Sequence, residues 1–202
     1  MKKLLTIIIL PIIILGLAFL IVRSINQPVK FNKEKEARKV VGIERLKDIR
    51  TLQVTFKSVN GRYAPTMDSL IDFYKNGKMT IVKQIGSMDD SVAVAKKLVK
   101  RENIDVAIKD TLFRGRPNFV IDSLRWIPFS GGDTVLMQTI IKTVSGVSVP
   151  LFEANMPYNS LLKGMDRQLI INLNAEQVDM GRYQGLQVGS VTNPNNNAGN
   201  WE

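Results

Sequence analysis

The sequence contains neither cysteine nor histidine. Without cysteine the chain forms no disulfide, has no thiol nucleophile and builds no thiolate metal site. Without histidine it lacks the most frequent general base and the most frequent transition-metal ligand of proteins. These absences disfavour catalysis, and we predict a protein without enzymatic activity, cofactor or metal. A chain of 202 residues has room for one domain of ordinary size.

Positive charge is concentrated in the first half of the chain. Residues 1–101 hold 20 Lys and Arg against 8 Asp and Glu (20 − 8 = +12), whereas residues 102–202 hold 8 against 10 (8 − 10 = −2). An anionic phospholipid surface explains a basic segment beside an apolar run. Nucleic acid is the rival explanation, but no helix-turn-helix, RNA-binding sheet motif or metal-knuckle spacing supports it. We therefore predict membrane lipid as a partner and no nucleic acid.

An uncharged apolar run extends from Leu4 to Val22. As a helix it spans roughly 28 Å, which is close to the hydrocarbon thickness of a bilayer. The apolar core of a cleavable signal peptide is shorter, and the residues after Val22 offer no convincing small-x-small cleavage site. The sequence therefore predicts a retained transmembrane anchor within residues 1–24, with a cleaved signal peptide as the alternative.

Basic residues follow the anchor, and we predict that they lie at the membrane surface: Arg23, Lys30, Lys33, Lys35, Arg38 and Lys39. Counting these charges places the head in the cytoplasm. Long domains nevertheless translocate largely regardless of charge, and a short start with two lysines is typical of signal anchors. We predict a single-pass protein of the bacterial inner membrane with a periplasmic head, and the opposite orientation remains the alternative.

Residues 25–60 are predicted to form a linker and an amphipathic stalk helix. Pro28 is expected to end the first helix, and Asn32 is a suitable N-cap for the second. Apolar residues recur there every three or four positions: Val40, Ile43, Leu46, Ile49, Leu52 and Phe56. This face is expected to pack on the protein's own sheet, or, near the membrane, against copies of itself or a partner.

Residues 61–191 are predicted to form a head of the α+β class, in which the long amphipathic helix packs on an antiparallel β-sheet. Gly61 suits a left-handed helix cap, and Thr66 suits the N-cap of a short helix that ends at Asn76-Gly77. A further helix is predicted over 89–101. Strands are predicted over 78–86, 105–113, 134–143, 147–155, 167–174 and 186–191.

The turn after the stalk carries a pattern of six residues: Asn60, Arg62, Tyr63, Pro65, Thr66 and Leu70. With the apolar helix and its amphipathic continuation, this pattern resembles type IV pilins and, more closely, the pseudopilins of type II secretion. The resemblance covers about the first 75 residues. It implies a structural or interaction subunit of an envelope-spanning secretion or pilus-like assembly, whose partners are other subunits or copies of itself.

The chain departs from that family at its processing site. Pilin-like precursors are cut after a glycine that precedes an apolar helix with glutamate at its fifth position. The glycine of this run is Gly16, its fifth successor is Ile21, and the run contains no glutamate. The departure implies an unprocessed relative that stays in the membrane.

Other functions have weaker support in the sequence. Ser160 and Lys163 have the S-x-x-K spacing of Ser/Lys hydrolases, without the accompanying motifs. Asp89-Asp90 could join a cation site, although such acids more often cap a helix. A membrane-tethered ligand-binding or sensory head is the remaining alternative.

Two tryptophans are candidate docking residues. Trp126 is expected either in the core or as an interface anchor. Residues 192–202 are Asn-rich and polar, so they are expected to form a flexible tail. The tail ends in Trp201 and Glu202, a compact pair for a partner's pocket.

Overall fold

The computed structural model of the chain describes residues 10–85, 100–144 and 146–202. It has the predicted α+β fold, with one long helix followed by short helices and antiparallel strands. The helices are α1 (Leu10–Asn60), α2 (Met67–Asn76), α3 (Ile108–Thr111), α4 (Tyr158–Leu161) and α5 (Arg167–Asp179), with a 3-10 helix at Ile121–Arg125. The strands are β1 (Lys78–Ile85), β2 (Lys100–Ala107), β3 (Leu136–Val144), β4 (Val147–Pro157) and β5 (Gly185–Gly189).

Helix α1 is continuous, so the predicted break at Pro28 and the predicted start at Asn32 are wrong. A proline inside a helix removes one hydrogen bond and costs about 3 kcal/mol. Contacts close to the proline offset that cost. Phe31 is buried in the head, which contributes about 2 kcal/mol, and the Gln27 amide donates to Asp166 Oδ2 at 2.5 Å.

The second half of α1 packs on a three-stranded antiparallel sheet of order β3-β4-β5. Its face contains Leu46, Ile49 and Leu52, which are fully buried as predicted. Val40 was predicted to share this face but is 65% exposed. The helix instead turns Gly42 toward the sheet, and it approaches β5 so closely that a Cβ there would lie 2.7 Å from Leu186 Cδ1.

The turn after α1 and the short helix α2 form as predicted. Gly61 has a φ of +72°, and Thr66 Oγ1 accepts from the Ser69 N–H at 3.2 Å. Leu70, a residue of α2, is fully buried. Gly77 is extended, with a φ of −73°, and leads directly into a separate antiparallel pair of β1 and β2. The predicted helix over 89–101 and the pair Asp89-Asp90 lie outside the described residues, apart from residues 100 and 101 in β2.

The strand predictions are correct for β1, β3, β4 and β5, partly correct for β2 and wrong for residues 167–174. The β2 strand ends at Ala107, where α3 begins. Residues 167–174 lie in α5 because Asp166 Oδ1 accepts from the Leu169 N–H at 3.0 Å and caps the helix. Ile170 is the buried residue of α5, and the helix face that carries Ile170 packs on the head.

The tail folds back onto the head, which differs from the flexible segment predicted for residues 192–202. Its backbone extends the edge of β5: the Gly189 N–H donates to the Ala198 carbonyl at 3.0 Å, and the Asn200 N–H donates to the Gln187 carbonyl at 2.9 Å. The polar composition gave no sign of this order because many of the contacts are made by backbone groups, which every residue carries.

Candidate interaction surface

The first part of α1 stands free of the head. Among residues 10–30, apolar side chains such as Leu15 and Phe19 are 70% and 66% exposed, and the large side chains become buried from Phe31 onward. In the described part of the chain this is the one helix that is long and apolar enough to cross a membrane. Val22, at the end of the predicted anchor, is 56% exposed, whereas Leu4 lies outside the described residues.

The six basic residues after the anchor divide into two groups. Lys35 and Lys39 both pair with Glu36, at 3.5 Å and 3.1 Å. Arg38 pairs with Glu34 at 2.9 Å, and its Nη1 also donates to the Lys163 carbonyl at 3.0 Å. Arg23, Lys30 and Lys33 are exposed and form no ion pair with other described residues. Of the positive charge predicted for the membrane surface, the part without an ion-pair partner among the described residues therefore lies on Arg23, Lys30 and Lys33.

The pilin-like turn is part of the packing of the head. The Tyr63 ring is buried, with its centroid 4.8 Å from that of Phe152. Its hydroxyl donates to Asn197 Oδ1 at 3.1 Å, which also ties down the tail. Asn60 Nδ2 donates to the Phe56 carbonyl at 3.0 Å and closes the end of α1. Arg62 and Pro65 are exposed, so the turn presents a small outer surface on a rigid base.

A buried glutamine, which the sequence pattern did not single out, joins this turn to α1. Gln53 is fully buried. Its Oε1 accepts from the Ala64 N–H at 2.8 Å, and its Nε2 donates to the Ala64 carbonyl at 3.1 Å. Both backbone groups of a buried residue are thereby satisfied by one side chain.

An exposed apolar surface lies beside α1, and we call Val41, Trp126 and Phe129 the stalk-side surface. Their exposed fractions are 38%, 45% and 50%. Trp126 is therefore exposed and does not belong to the buried core, which was one of the two expectations for it. Arg45 donates to the Trp126 carbonyl, and the Arg38 guanidinium lies 4.9 Å from the centroid of the Phe129 ring. Two arginines of one helix face thus hold both aromatic residues.

Phe129 is held in an unfavourable backbone conformation. Its φ is +62°, which is rare for a bulky residue other than glycine. The loop around it is fixed by Ser130, a fully buried residue whose hydroxyl donates to the Ile127 carbonyl at 2.8 Å and accepts from the Asp133 N–H at 3.0 Å. Strained positions of this kind concentrate at functional sites, and here the hydrogen bonds of Ser130 hold the loop that presents the ring of Phe129 at the surface.

A charged pair attaches the segment around Arg116 to α1. Arg116 Nη1 lies 2.6 Å from Asp48 Oδ1, and Arg116 Nη2 lies 3.1 Å from Glu44 Oε1. The hydrogen bond to Asp48 raises the pKa of Arg116. For Asp48, whose side chain is 9% exposed, the loss of hydration outweighs this attraction and raises the pKa of its carboxyl group. The pair therefore positions the loop at a cost to the buried carboxylate.

The C-terminal docking candidates lie against the protein itself. Trp201 packs against the core, and its buried Nε1 has no hydrogen-bond acceptor among the described residues. Glu202 Oε1 lies 2.6 Å from Arg50 Nη1, and that hydrogen bond lowers the pKa of the Glu202 carboxyl. A partner that took up both side chains would first have to detach them from the head.

The hydrolase candidate has a different arrangement from a Ser/Lys pair. Lys163 Nζ lies 3.4 Å from Asp133 Oδ1. A hydrogen bond from Ser160, followed by the charge of Lys163, lowers the pKa of Asp133. Both side chains therefore interact with the Asp133 carboxylate, whereas in a Ser/Lys pair the lysine takes the proton of the serine.

One concave site contains several cations and the C-terminal tryptophan. It has a volume of about 220 Å³, and Lys35, Lys39, Arg182 and Trp201 are among its lining residues. Burial, followed by the charges of Glu36 and Glu176, raises the pKa of Tyr158 at this site. The two carboxylates offset two of these three cations, and the volume of the site lies below the usual range of ligand pockets.

Comparison of the chain with protein-family models, with curated proteins and with solved structures finds no match.

Proposed function

We propose that this protein is a non-catalytic, single-pass membrane subunit of a secretion or pilus-like assembly in the bacterial envelope, with its head in the periplasm. One observation carries the proposal. Helix α1 is a single element of 51 residues, whose apolar side chains are exposed as far as Val29 and whose inner face packs in the head from Phe31 onward. A helix without a break holds any protein bound to the head at a fixed distance and orientation relative to the membrane.

The resemblance of the first 75 residues to pseudopilins supports the same function. One of the turn residues that carry it, Tyr63, attaches the turn to the head through Asn197, and its neighbour Ala64 is bonded to Gln53 of α1. Because Gly16 and the missing glutamate leave no processing site, the subunit is expected to remain anchored in the membrane.

The stalk-side surface supports contact with another protein. Exposed tryptophan and phenylalanine held on a fixed loop are typical anchors of protein interfaces. Two partly buried arginines of α1, Arg38 and Arg45, contact them. Arginine is likewise enriched at interfaces.

The proposal is tested by truncating both aromatic residues, as Trp126→Ala together with Phe129→Ala. Loss of one such anchor costs about 2 kcal/mol or more, which weakens binding roughly 30-fold. In mild-detergent extracts of membranes from the protein's own host, the wild type should migrate in a larger complex on native gels, and the double variant as a single chain.

A matched control removes two exposed apolar side chains of the α5 region, as Val178→Ala together with Met180→Ala. These residues are 53% and 51% exposed, and the control should retain the complex. A wild type that migrates as a single chain would refute the assembly function. A double aromatic variant that keeps the complex would exclude the stalk-side surface as its contact.

A further inference from the structure

The head approaches the end of the apolar run very closely. Gln27 Nε2 donates to Asp166 Oδ2 at 2.5 Å, and Gln27 follows Val22 by five residues, or about 8 Å along a helix. The interfacial layer of a bilayer extends about 5–7 Å beyond the hydrocarbon on each side. With Val22 at the hydrocarbon boundary, as the proposed function requires, Asp166 lies at the outer edge of the lipid headgroups.

The chain around Asp166 descends toward the membrane. Arg38 Nη1 donates to the carbonyls of Leu161 and Lys163, at 3.4 Å and 3.0 Å. Gln27, which contacts Asp166, lies eleven residues lower on α1, about 16 Å. The segment from Leu161 to Asp166 therefore runs down the helix, and α5 begins at the membrane end of the head. Because helical side chains lean toward the N-terminus, the contact between Gln27 and Asp166 lies still closer to the membrane than the Cα atom of Gln27 does.

Three basic residues lie near the contact between Gln27 and Asp166. Arg23, Gln27 and Phe31 follow one another at intervals of four residues, so they lie on one side of α1. Phe31 is buried in the head, so Arg23 lies beneath the head on the same side. Lys30 precedes Phe31 on the flank of this side, and Arg167 follows Asp166 at the start of α5.

These three cations are available for an external anion. Arg23, Lys30 and Arg167 are exposed, and none of them forms an ion pair with the described residues. The acid among them is Asp166. Its carboxylate is occupied by the Leu169 N–H and the Gln27 amide, and the first of these bonds is the main cause of its lowered pKa. The cluster therefore keeps a net positive charge.

We propose that the head rests on the bilayer through Arg23, Lys30 and Arg167, which we call the membrane-facing surface, and that this surface binds the phosphate groups of anionic phospholipids. Guanidinium groups pair with phosphate oxygens in a bidentate manner. Each basic residue near an anionic surface strengthens the attraction about fivefold. Docking the head in this way fixes its tilt relative to the bilayer.

The test measures how close this end of the head lies to lipid headgroups. Because the chain has no cysteine, a single cysteine at exposed Gln168 carries one fluorophore. The full-length protein is reconstituted in phosphatidylcholine vesicles, with or without phosphatidylglycerol, that contain a headgroup nitroxide quencher. We expect quenching at Gln168→Cys that is clearly stronger with phosphatidylglycerol. A label at Val59→Cys, about 55 Å beyond Val22 along the helix, should show none.

Neutralising the surface should remove the dependence on anionic lipid. Lys30→Gln with Arg167→Gln should reduce quenching at residue 168 to the level seen in pure phosphatidylcholine. Lys78→Gln with Lys109→Gln removes two exposed cations elsewhere and should leave it unchanged. Tryptophan fluorescence of each variant verifies that the head is folded.

Three outcomes would overturn the inference: no quenching at residue 168 in either vesicle, equal quenching in both, or unchanged quenching after neutralisation. The anchor is tested separately, by extraction of native membranes with alkaline carbonate. Release of the protein by carbonate would refute the proposed membrane function itself. Retention without quenching would refute the docked head alone.

Discussion

At the scale of single residues, Gln53 shows how a buried polar side chain determines a connection. It lies among apolar residues of α1, and its amide satisfies both backbone groups of Ala64. Ala64 is fully buried, so water cannot replace these bonds. The path of the chain from α1 to α2 therefore depends on one side chain.

Gln53→Ala should destabilise the head by about 3 kcal/mol, because it leaves a buried donor and a buried acceptor unsatisfied. Urea unfolding of the full chain in detergent micelles, followed by tryptophan fluorescence, measures the loss. Gln168→Ala makes the same chemical change at an exposed position and should alter stability by less than about 0.5 kcal/mol. Equal effects of the two substitutions would show that the bonds to Ala64 contribute nothing.

Asp48 makes stability depend on pH with a defined sign. Burial raises the pKa of its carboxyl above the ordinary value of 3.8, so the folded state binds the proton more tightly than the unfolded state. The resulting stabilisation is fully present below pH 3.8 and is lost as pH rises through the raised pKa. At neutral pH the buried carboxylate is therefore a cost that Arg116 offsets in part.

Comparison with Asp48→Asn isolates this group. The free energy of unfolding of the wild type, minus that of the variant, should fall as pH rises from about 4 to about 7. The uncharged control Thr51→Ala, on an exposed turn of the same helix, should differ from the wild type by a constant amount. A difference that grows with pH would mean that pairing with Arg116 outweighs burial.

At the scale of elements, α1 decides the architecture. Its sequence contains a helix breaker at Pro28 next to the junction between an apolar and an amphipathic segment, and a break was the natural expectation. The helix continues because Gln27 and Phe31 attach both sides of the proline to the head. Anchor and head then behave as one body.

Distances between spin labels test this continuity. In a straight helix, labels at Ser24→Cys and Lys47→Cys, on opposite sides of Pro28, should give a narrow distribution centred near 35 Å. A control pair at Lys33→Cys and Thr51→Cys does not span the proline and should give about 27 Å. A broad or much shorter distribution for the first pair alone would mean that the helix is broken at Pro28.

At the scale of the whole molecule, the uneven charge and the single apolar helix determine how the protein is placed. Residues 1–60, the anchor and the stalk, hold 12 Lys and Arg against 4 Asp and Glu (12 − 4 = +8). The proposed periplasmic head leaves this charge at the outer surface of the inner membrane, where a simple count of positive residues would not place it. In our proposal, translocation of the long domain after the anchor therefore outweighs the local charges.

Labelling of a single cysteine determines the orientation. Ala175→Cys lies on an exposed turn of α5 and should react with a membrane-impermeant maleimide in intact spheroplasts. Lys3→Cys, before the anchor, should react only after permeabilisation. The reversed pattern would place the head in the cytoplasm and would remove the envelope assembly from consideration.

The sequence by itself determined the features that depend on local pattern. The α+β class, the apolar run, the Thr66 cap and the strands β3 to β5 follow from hydrophobic periodicity, capping and turn residues, which act over a few positions. The residues of the pilin-like turn could likewise be identified, because glycine and proline restrict the backbone locally.

Tertiary structure alone decided what depends on contacts between distant residues. The continuity of α1 past Pro28, the ordered tail and the exposure of Trp126 each rest on bonds to parts of the chain remote in sequence, such as Gln27 with Asp166 and Tyr63 with Asn197. Free energies of a few kcal/mol from such contacts exceed the local preferences of a segment, and no short stretch of sequence contains both partners.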